Sequence, residues 1–281
     1  MLVFLNGQFI SEAQAVVSVF DRSFLYGDGL FETMRVFRGV PFRWLDHMAR
    51  LEQGARLLNI TLPYSRDQLR DYARQLIEKN HLPESLLRLT LSRGVGPRGY
   101  SPKGADHPTL VMTLHPAPDA NGEPIPQWRV VTASFRLPAN EPLALFKNCN
   151  KLPQIMARAQ ADASGADEAL LLNTLGEVVE AASSNLFWIA DNVVCTPPLN
   201  SGILAGVTRL VVLEICQSLN IPTRELGITP TNLPRVQGVF LSLSSWGIVE
   251  VTHLDNQPLG RSPLVNKLQS AYAQIITEHR S

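Results

Sequence analysis

Leu145-Phe146-Lys147-Asn148-Cys149-Asn150-Lys151-Leu152-Pro153 carries an apolar run into a lysine and then into the start of a helix. Leu143, Ala144, Leu145 and Phe146 lead the chain inward, and burial disfavours the charged form of an amine. A lysine of lowered pKa is a nucleophile able to form a Schiff base with an aldehyde. Lys151, four residues on, competes for that role. Read singly, Lys147 would be a solvated lysine near a helix start. Pro153 fits only the first turn of the helix that the spacing predicts over 151–163.

A second stretch, Gly176-Glu177-Val178-Val179-Glu180-Ala181-Ala182-Ser183-Ser184-Asn185-Leu186-Phe187, ends a short apolar strand on a carboxylate. The small residues after Glu180 let backbone approach a ligand, and Ser183 and Ser184 add hydroxyl donors. A carboxylate against the ring nitrogen of an aldehyde cofactor keeps that nitrogen protonated and makes the ring an electron sink. Leu204-Ala205-Gly206-Val207-Thr208 opens a helix, where the free amides of Val207 and Thr208 and the threonine hydroxyl suit a phosphate. Ser244-Ser245, after an apolar strand, offers similar hydroxyls. Arg50, in Asp46-His47-Met48-Ala49-Arg50-Leu51, can reach inward as a forked donor. Ser92-Arg93-Gly94-Val95-Gly96-Pro97-Arg98-Gly99-Tyr100-Ser101 is a glycine-rich basic loop without the spacing of a dinucleotide or P-loop fingerprint. It suits a loop presenting Arg98 and Tyr100 to an anionic substrate. Each of these also has an ordinary reading: an edge-strand carboxylate, an N-cap, a solvated helix arginine, a surface turn.

The 281 residues are 45% apolar and 18% charged, as in a soluble globular protein. A formal net charge of zero argues against broad binding to nucleic acid or an anionic membrane. No apolar run is long enough for a bilayer, and the N-terminus lacks the features of a signal peptide. Cys149, Cys195 and Cys216 are widely spaced and odd in number, which reads as reduced thiols in a cytoplasmic protein. The six histidines lack metal-ligand spacing, so no metal is expected. Strands are expected at 2–5 and 8–10 around an Asn6-Gly7 turn, at 31–37, 86–92, 109–115, 128–135, 169–173, 178–180, 185–190, 193–196, 239–243 and 249–254. Helices are expected at 47–58, 67–78, 151–163, 208–219 and 263–279. The proline-rich stretch 115–126 reads as a linker. The expected organisation is a small domain over 1–115, a linker over 116–127 and a larger domain over 128–281, of α+β class.

In this order the residues resemble the class IV pyridoxal-phosphate enzymes, which include branched-chain aminotransferases, D-amino acid aminotransferases and 4-amino-4-deoxychorismate lyases. The likeness runs from Asn6-Gly7 to about Gly260 and includes Asp21-Arg22-Ser23-Phe24-Leu25-Tyr26-Gly27-Asp28-Gly29-Leu30-Phe31-Glu32-Thr33 and Gly206-Val207-Thr208-Arg209. It implies a homodimer with a small N-terminal α/β domain, a larger C-terminal domain with a barrel-like sheet, and a site between the domains near the subunit boundary. It implies pyridoxal 5'-phosphate as cofactor, with Lys147 as the Schiff-base lysine and Glu180 as partner of the pyridine nitrogen. Arg50, the Val207 and Thr208 amides, and Ser244 or Ser245 would hold the phosphate, with Ser184 a further cofactor contact. Branched-chain enzymes usually carry Phe-Glu-Gly where this chain has Phe31-Glu32-Thr33. D-amino acid enzymes usually place a tyrosine near position 31 and a histidine near 100, where this chain has Phe31 and Tyr100. Ser92-Arg93-Gly94, Arg98-Gly99-Tyr100-Ser101, Ala166-Asp167-Glu168-Ala169-Leu170 and Asn185-Leu186-Phe187-Trp188 look most like the aminodeoxychorismate lyases. The resemblance therefore implies a lyase of folate biosynthesis that forms 4-aminobenzoate and pyruvate. Lys147 would abstract the proton with help from Thr33, and Phe31, Arg98 and Tyr100 would face the substrate. The alternatives are an aminotransferase for D-amino acids or, secondarily, branched-chain L-amino acids, and a non-catalytic vitamin-B6-binding protein.

Overall fold

Asn6 and Gly7 both take positive φ, 47° and 91°, and so form the tight turn between strands β1 (Leu2–Leu5) and β2 (Gln8–Ser11). The computed structural model describes residues 1–118 and 124–279, and these fall into two compact units. The first unit takes 1–118 together with Phe146–Asn150. After β2 come α1 (Arg22–Tyr26), β3 (Gly29–Phe37), β4 (Val40–Pro41), α2 (Trp44–Leu58), α3 (Arg66–Asn80), β5 (Ser85–Ser92) and β6 (Thr109–Pro116). The sheet order is β2-β1-β6-β5-β3-β4. Along β5, Leu87, Leu89 and Leu91 are buried while Leu86, Arg88 and Thr90 on the other face are only half-buried. This is the period-2 pattern of a strand with one covered face. The covering layer is α2 and α3, whose Met48, Leu51, Ala55, Leu69, Ala73 and Leu76 form one core with Leu30, Met34 and Val36 of β3. Ser65 and Gln68 start α3 with a reciprocal capping box.

The short α1 has no apolar period to announce it. Asp21 caps it by accepting from the Ser23 amide at 2.8 Å, and Gly27 ends it in the left-handed region at φ 68°. The two-residue β4 pairs only with Val36 and Phe37, which leaves the start of that β3 edge for another segment. Phe146–Asn150 takes it. The Phe31 amide donates to the Lys147 carbonyl at 2.8 Å, and the Cys149 amide donates to the Gly29 carbonyl at 2.9 Å.

The second unit takes 124–145 and Lys151–His279. Its elements are β7 (Gln127–Leu137), α4 (Leu152–Ala163), β8 (Glu168–Asn173), β9 (Val178–Ala181), β10 (Asn185–Ala190), β11 (Val193–Thr196), α5 (Val207–Ser218), β12 (Thr223–Glu225), β13 (Gly238–Leu243), β14 (Gly247–Leu254), β15 (Gln257–Pro258) and α6 (Pro263–His279). Strands run β10-β13-β14-β7-β8-β9, and β9 pairs back onto β10 at Glu180–Asn185, closing a six-stranded barrel. The β7–α4–β8 crossover is the parallel connection that a helix makes possible. Val130, Leu170, Val178, Leu186, Trp188, Val239, Leu241 and Val251 fill one core, and Ala157 and Ala161 of α4 pack on Ala133, Ala169, Leu171 and Val179 in another. Pro153 sits in the first turn of α4, as its missing amide requires.

The mixed α+β class with a barrel is the expected one. Two details differ from the domain limits drawn above. β6 continues to Pro116, and Phe146–Asn150 packs with the first unit although its position in the chain lies within the larger domain. Residues 119–123 of the expected linker lie outside the described residues. No helix is long and apolar enough to cross a membrane among the described residues.

Candidate active site

Alternation along β3 sorts its side chains between two faces. Leu30 and Met34 face α2, so Glu32 between them in register faces α2 as well. Phe31 and Thr33 occupy the other face, with Thr90 and Arg88 opposite them on β5. Lys147 reaches the same face from a turn in which the Asn148 amide donates to the Phe146 carbonyl at 2.9 Å. Phe146 packs into the α2 side beside Gly54, where an added Cβ would meet its ring at 3.2 Å. The Lys147 Nζ lies 4.8 Å from the Phe31 ring centroid. The Arg88 guanidinium carbon lies 3.9 Å from that same centroid. Burial pulls Arg88 below its ordinary pKa, with Cys149 opposing. Thus Phe31, Thr33 and Lys147 do share one face. Arg88, which the sequence reading passed over, joins them.

Arg50 does reach inward, and it meets a carboxylate there. Its Nε donates to Glu32 Oε1 at 2.8 Å and its Nη2 to Oε2 at 2.6 Å, a bidentate pair. His47 Nδ1 is 2.7 Å from Glu32 Oε2. Burial alone would raise Glu32, but the Arg50 charge and the His47 and Arg50 hydrogen bonds override it and hold the carboxyl at about 2. Burial, reinforced by the Arg50 and Lys147 charges, keeps His47 below its ordinary value against the pull of Glu32. The ring is therefore neutral and donates from Nδ1 to an ionised Glu32.

Arg98 and Tyr100 stand on the outside, Tyr100 at 88% exposure. The backbone beneath them is fixed, because Arg22 donates to the carbonyls of Gly99, Tyr100 and Ser101. Arg22 is itself held by Asp28, which it shares with Arg93.

In the second unit Glu180 is buried on β9, directly opposite Asn185 on β10. Glu180 Oε2 accepts from the Leu204 amide at 2.8 Å, and Asn185 Nδ2 donates to the Leu204 carbonyl at 2.9 Å. Together they clamp the segment entering α5. The N-cap Gly206 admits no side chain, since a Cβ would fall 1.9 Å from Asn185 Oδ1. No side chain caps α5 at its Val207 and Thr208 end, which is buried. Ser184 and Ser242 are buried, and their hydroxyls have no hydrogen-bond partner among the described residues. Ser242 lies opposite Asn185 in the ladder. Ser244 and Ser245 sit instead in the half-buried turn between β13 and β14. Strand alternation in 238–243 is the signal that could have pointed to Ser242.

The first unit thus offers an amine on an aromatic face, and the second offers a buried carboxylate tied to the entrance of a helix whose first turn has no side-chain cap. Residues 29–254 match the family model of amino-transferase class IV. A Methanocaldococcus jannaschii protein provisionally named a branched-chain-amino-acid aminotransferase is 34% identical over 99% of this chain and 97% of its own length. The D-alanine aminotransferase of Staphylococcus aureus is 30% identical over 99% of this chain and 98% of its own. A Legionella pneumophila structure provisionally named a 4-amino-4-deoxychorismate lyase is 32% identical, covers 94% of this chain and 96% of its own, and superposes with a TM-score of 0.87. The chain belongs to the class IV aminotransferase family and is a pyridoxal-phosphate-dependent enzyme.

Proposed function

We propose that the enzyme is a lyase that converts 4-amino-4-deoxychorismate to 4-aminobenzoate and pyruvate. The observation that supports this reading best is the face of β3 where Phe31 offers an aromatic floor, Lys147 an amine 4.8 Å from its centroid, and Thr33 a hydroxyl on the same strand. A flat six-membered ring suits such a floor. Lys147 removes the proton from the ring carbon that bears the amino group. Pyridoxal phosphate, when bound, would supply the electron sink that makes this proton removable. Glu180, oriented by the Leu204 amide, keeps a proton on the pyridine nitrogen, and Arg50, the Val207 and Thr208 amides, Ser184 and the Ser244–Ser245 turn hold the cofactor. Thr33 assists the proton that accompanies loss of the enolpyruvyl group, which leaves as pyruvate and renders the ring aromatic. Arg98 and Tyr100 act on the anionic substrate from their loop.

The second reading is an aminotransferase for D-amino acids, favoured by the D-alanine aminotransferase relative. It shares the first proton removal and differs in returning a proton to the cofactor rather than expelling a leaving group. Purified enzyme given aminodeoxychorismate should release 4-aminobenzoate. Rapid D-glutamate formation from D-alanine and 2-oxoglutarate with no 4-aminobenzoate would reject the lyase.

We also place the enzyme in the cytoplasm as a homodimer. Val16, Val17, Val19, Phe20, Phe24 and Leu25 expose a run of apolar side chains on the first unit, and cysteines that form no disulfide among the described residues suit a reducing compartment. Light scattering should give twice the 31.1 kDa chain mass. A mass of one chain at micromolar concentration removes the dimer.

A further inference from the structure

Ala166-Asp167-Glu168-Ala169-Leu170 takes no part in the proposed chemistry, yet it holds a carboxylate that is completely buried. Asp167 ties the start of β8 to β7: its carboxylate accepts from the Arg129 amide at 2.7 Å, and its own amide donates to the Arg129 carbonyl at 2.8 Å. Glu168, the first residue of β8, turns inward and has no ion pair among the described residues. Its Oε1 accepts from the Ala169 amide at 2.9 Å. Its Oε2 accepts from the Ser183 amide at 3.2 Å and from the Ser183 hydroxyl. Burying a carboxylate is costly, and without a cation its hydrogen bonds must offset that cost. Two of these three donors belong to Ser183, in the turn that follows Glu180.

That turn needs a hold from outside itself. β9 pairs with β8 at Leu170–Ala181 and Leu171–Glu180, but Leu172 lies opposite Val178, so Val179 is an extra residue, a bulge immediately before Glu180. A bulge interrupts the ladder and re-aims the side chains beside it. On the other side of Glu180 the chain runs Ala181-Ala182-Ser183-Ser184, whose small side chains have little area to pack. The Ala182 amide donates to the Ala169 carbonyl at 2.9 Å and the Ala181 amide to the Ser184 carbonyl at 2.8 Å, and beyond them Glu168 grips Ser183. We propose that Glu168 is a positioning residue for Glu180: by holding the Ala182–Ser183 turn it fixes the backbone from which Glu180 serves the pyridine nitrogen. The inference rests on the cofactor role given to Glu180 above, and is indifferent to the choice between lyase and aminotransferase.

Holoenzyme of wild type, Glu168→Gln, Ser183→Ala, Glu180→Gln and the double variant Glu168→Gln/Glu180→Gln is diluted into excess 4-deoxypyridoxine 5'-phosphate, a competitor without the aldehyde. The release of pyridoxal phosphate is timed in each. Glu180→Gln should speed release. Glu168→Gln keeps the size of the side chain but offers one acceptor oxygen to three donors. It should speed release about 10-fold, the middle of the range for residues coupled in one hydrogen-bond network. Ser183→Ala removes one donor from an exposed residue and should speed release by less. The double variant should release no faster than Glu180→Gln, because Glu168 acts through that carboxylate. Release at the wild-type rate in both Glu168→Gln and Ser183→Ala overturns the proposal. So does a double variant in which the two effects multiply, since that is the pattern of independent damage to the fold. Should Glu168→Gln fail to fold, Ser183→Ala combined with Glu180→Gln makes the same comparison. Release at the wild-type rate in Glu180→Gln removes the cofactor role of Glu180 and takes the proposal with it, whereas failure of the proposal alone leaves Glu180→Gln fast.

Discussion

Lys147→Ala is expected to lower turnover by at least about 10²–10⁴-fold, the range for loss of a positioned proton-transfer group. The loss should be larger still if the amine also holds the cofactor. A second readout separates chemistry from folding. Borohydride should fix the cofactor to the wild-type chain, adding its mass to the peptide containing Lys147, and should add none at that position in the variant. The argument is geometric. Phe146 is committed to the core beside Gly54, backbone bonds to Gly29 and Phe31 hold the segment in register on β3, and the Asn148 amide turns back to the Phe146 carbonyl at 2.9 Å. Lys147 stands at the centre of that turn, with its Nζ 4.8 Å from the Phe31 ring centroid. Lys151 is placed differently, as the N-cap of α4 in the second unit. Full activity in Lys147→Ala, with borohydride labelling at Lys151, would transfer the role to Lys151 and undo the assignment of Phe31 and Thr33 along with it.

That register explains which parts of the site could be read from the sequence. The apolar lead into Lys147 and the small residues after Glu180 are local signals. So are the Asn6-Gly7 turn, the amphipathic spacing of α2 and α3, and the alternation of β5. The structure agrees with those readings of the elements. What escaped depends on segments far apart in the chain. Leu86-Leu87-Arg88-Leu89-Thr90 reads as a strand with a solvated polar face, and only Phe31 and the Phe146–Asn150 segment, folded against β3, turn that face into an interior. The Arg50 fork could be foreseen, but its partner Glu32 could not, because the pairing requires the angle at which α2 crosses β3. Ser242 was hidden by its neighbours Ser244 and Ser245, which are as good in composition and differ only in strand position. The strands β4, β12 and β15 are two or three residues long, below the length at which a period can show.

The Glu32–Arg50–His47 group carries the largest stability prediction. Glu32→Ala removes the anion from a guanidinium that is only 8% exposed, and breaking one side of such a pair costs about 3–5 kcal/mol. Glu32→Gln should cost nearly as much, since the shape is kept and the charge is lost. Urea unfolding should show a lower midpoint with an unchanged slope in both variants. The pH dependence follows from the shifts. The Glu32 carboxyl is held at about 2 in the folded chain against 4.5 for the ordinary group. A depressed carboxyl stabilises the fold above its unfolded pKa, and that contribution is lost as pH falls from 4.5 toward 2. His47 adds a second acid-labile component. Kept neutral in the fold below its ordinary 6.5, it binds its proton more readily in the unfolded chain, so stability begins to fall as pH drops through 6.5. Wild type should therefore lose stability in two stages on acidification, and Glu32→Gln should lack the lower stage. Were the variant to show the same decline between pH 4.5 and 2 as wild type, the carboxylate responsible would lie elsewhere, and the Arg50 fork would be a minor contributor to the fold rather than the anchor that joins α2 to β3.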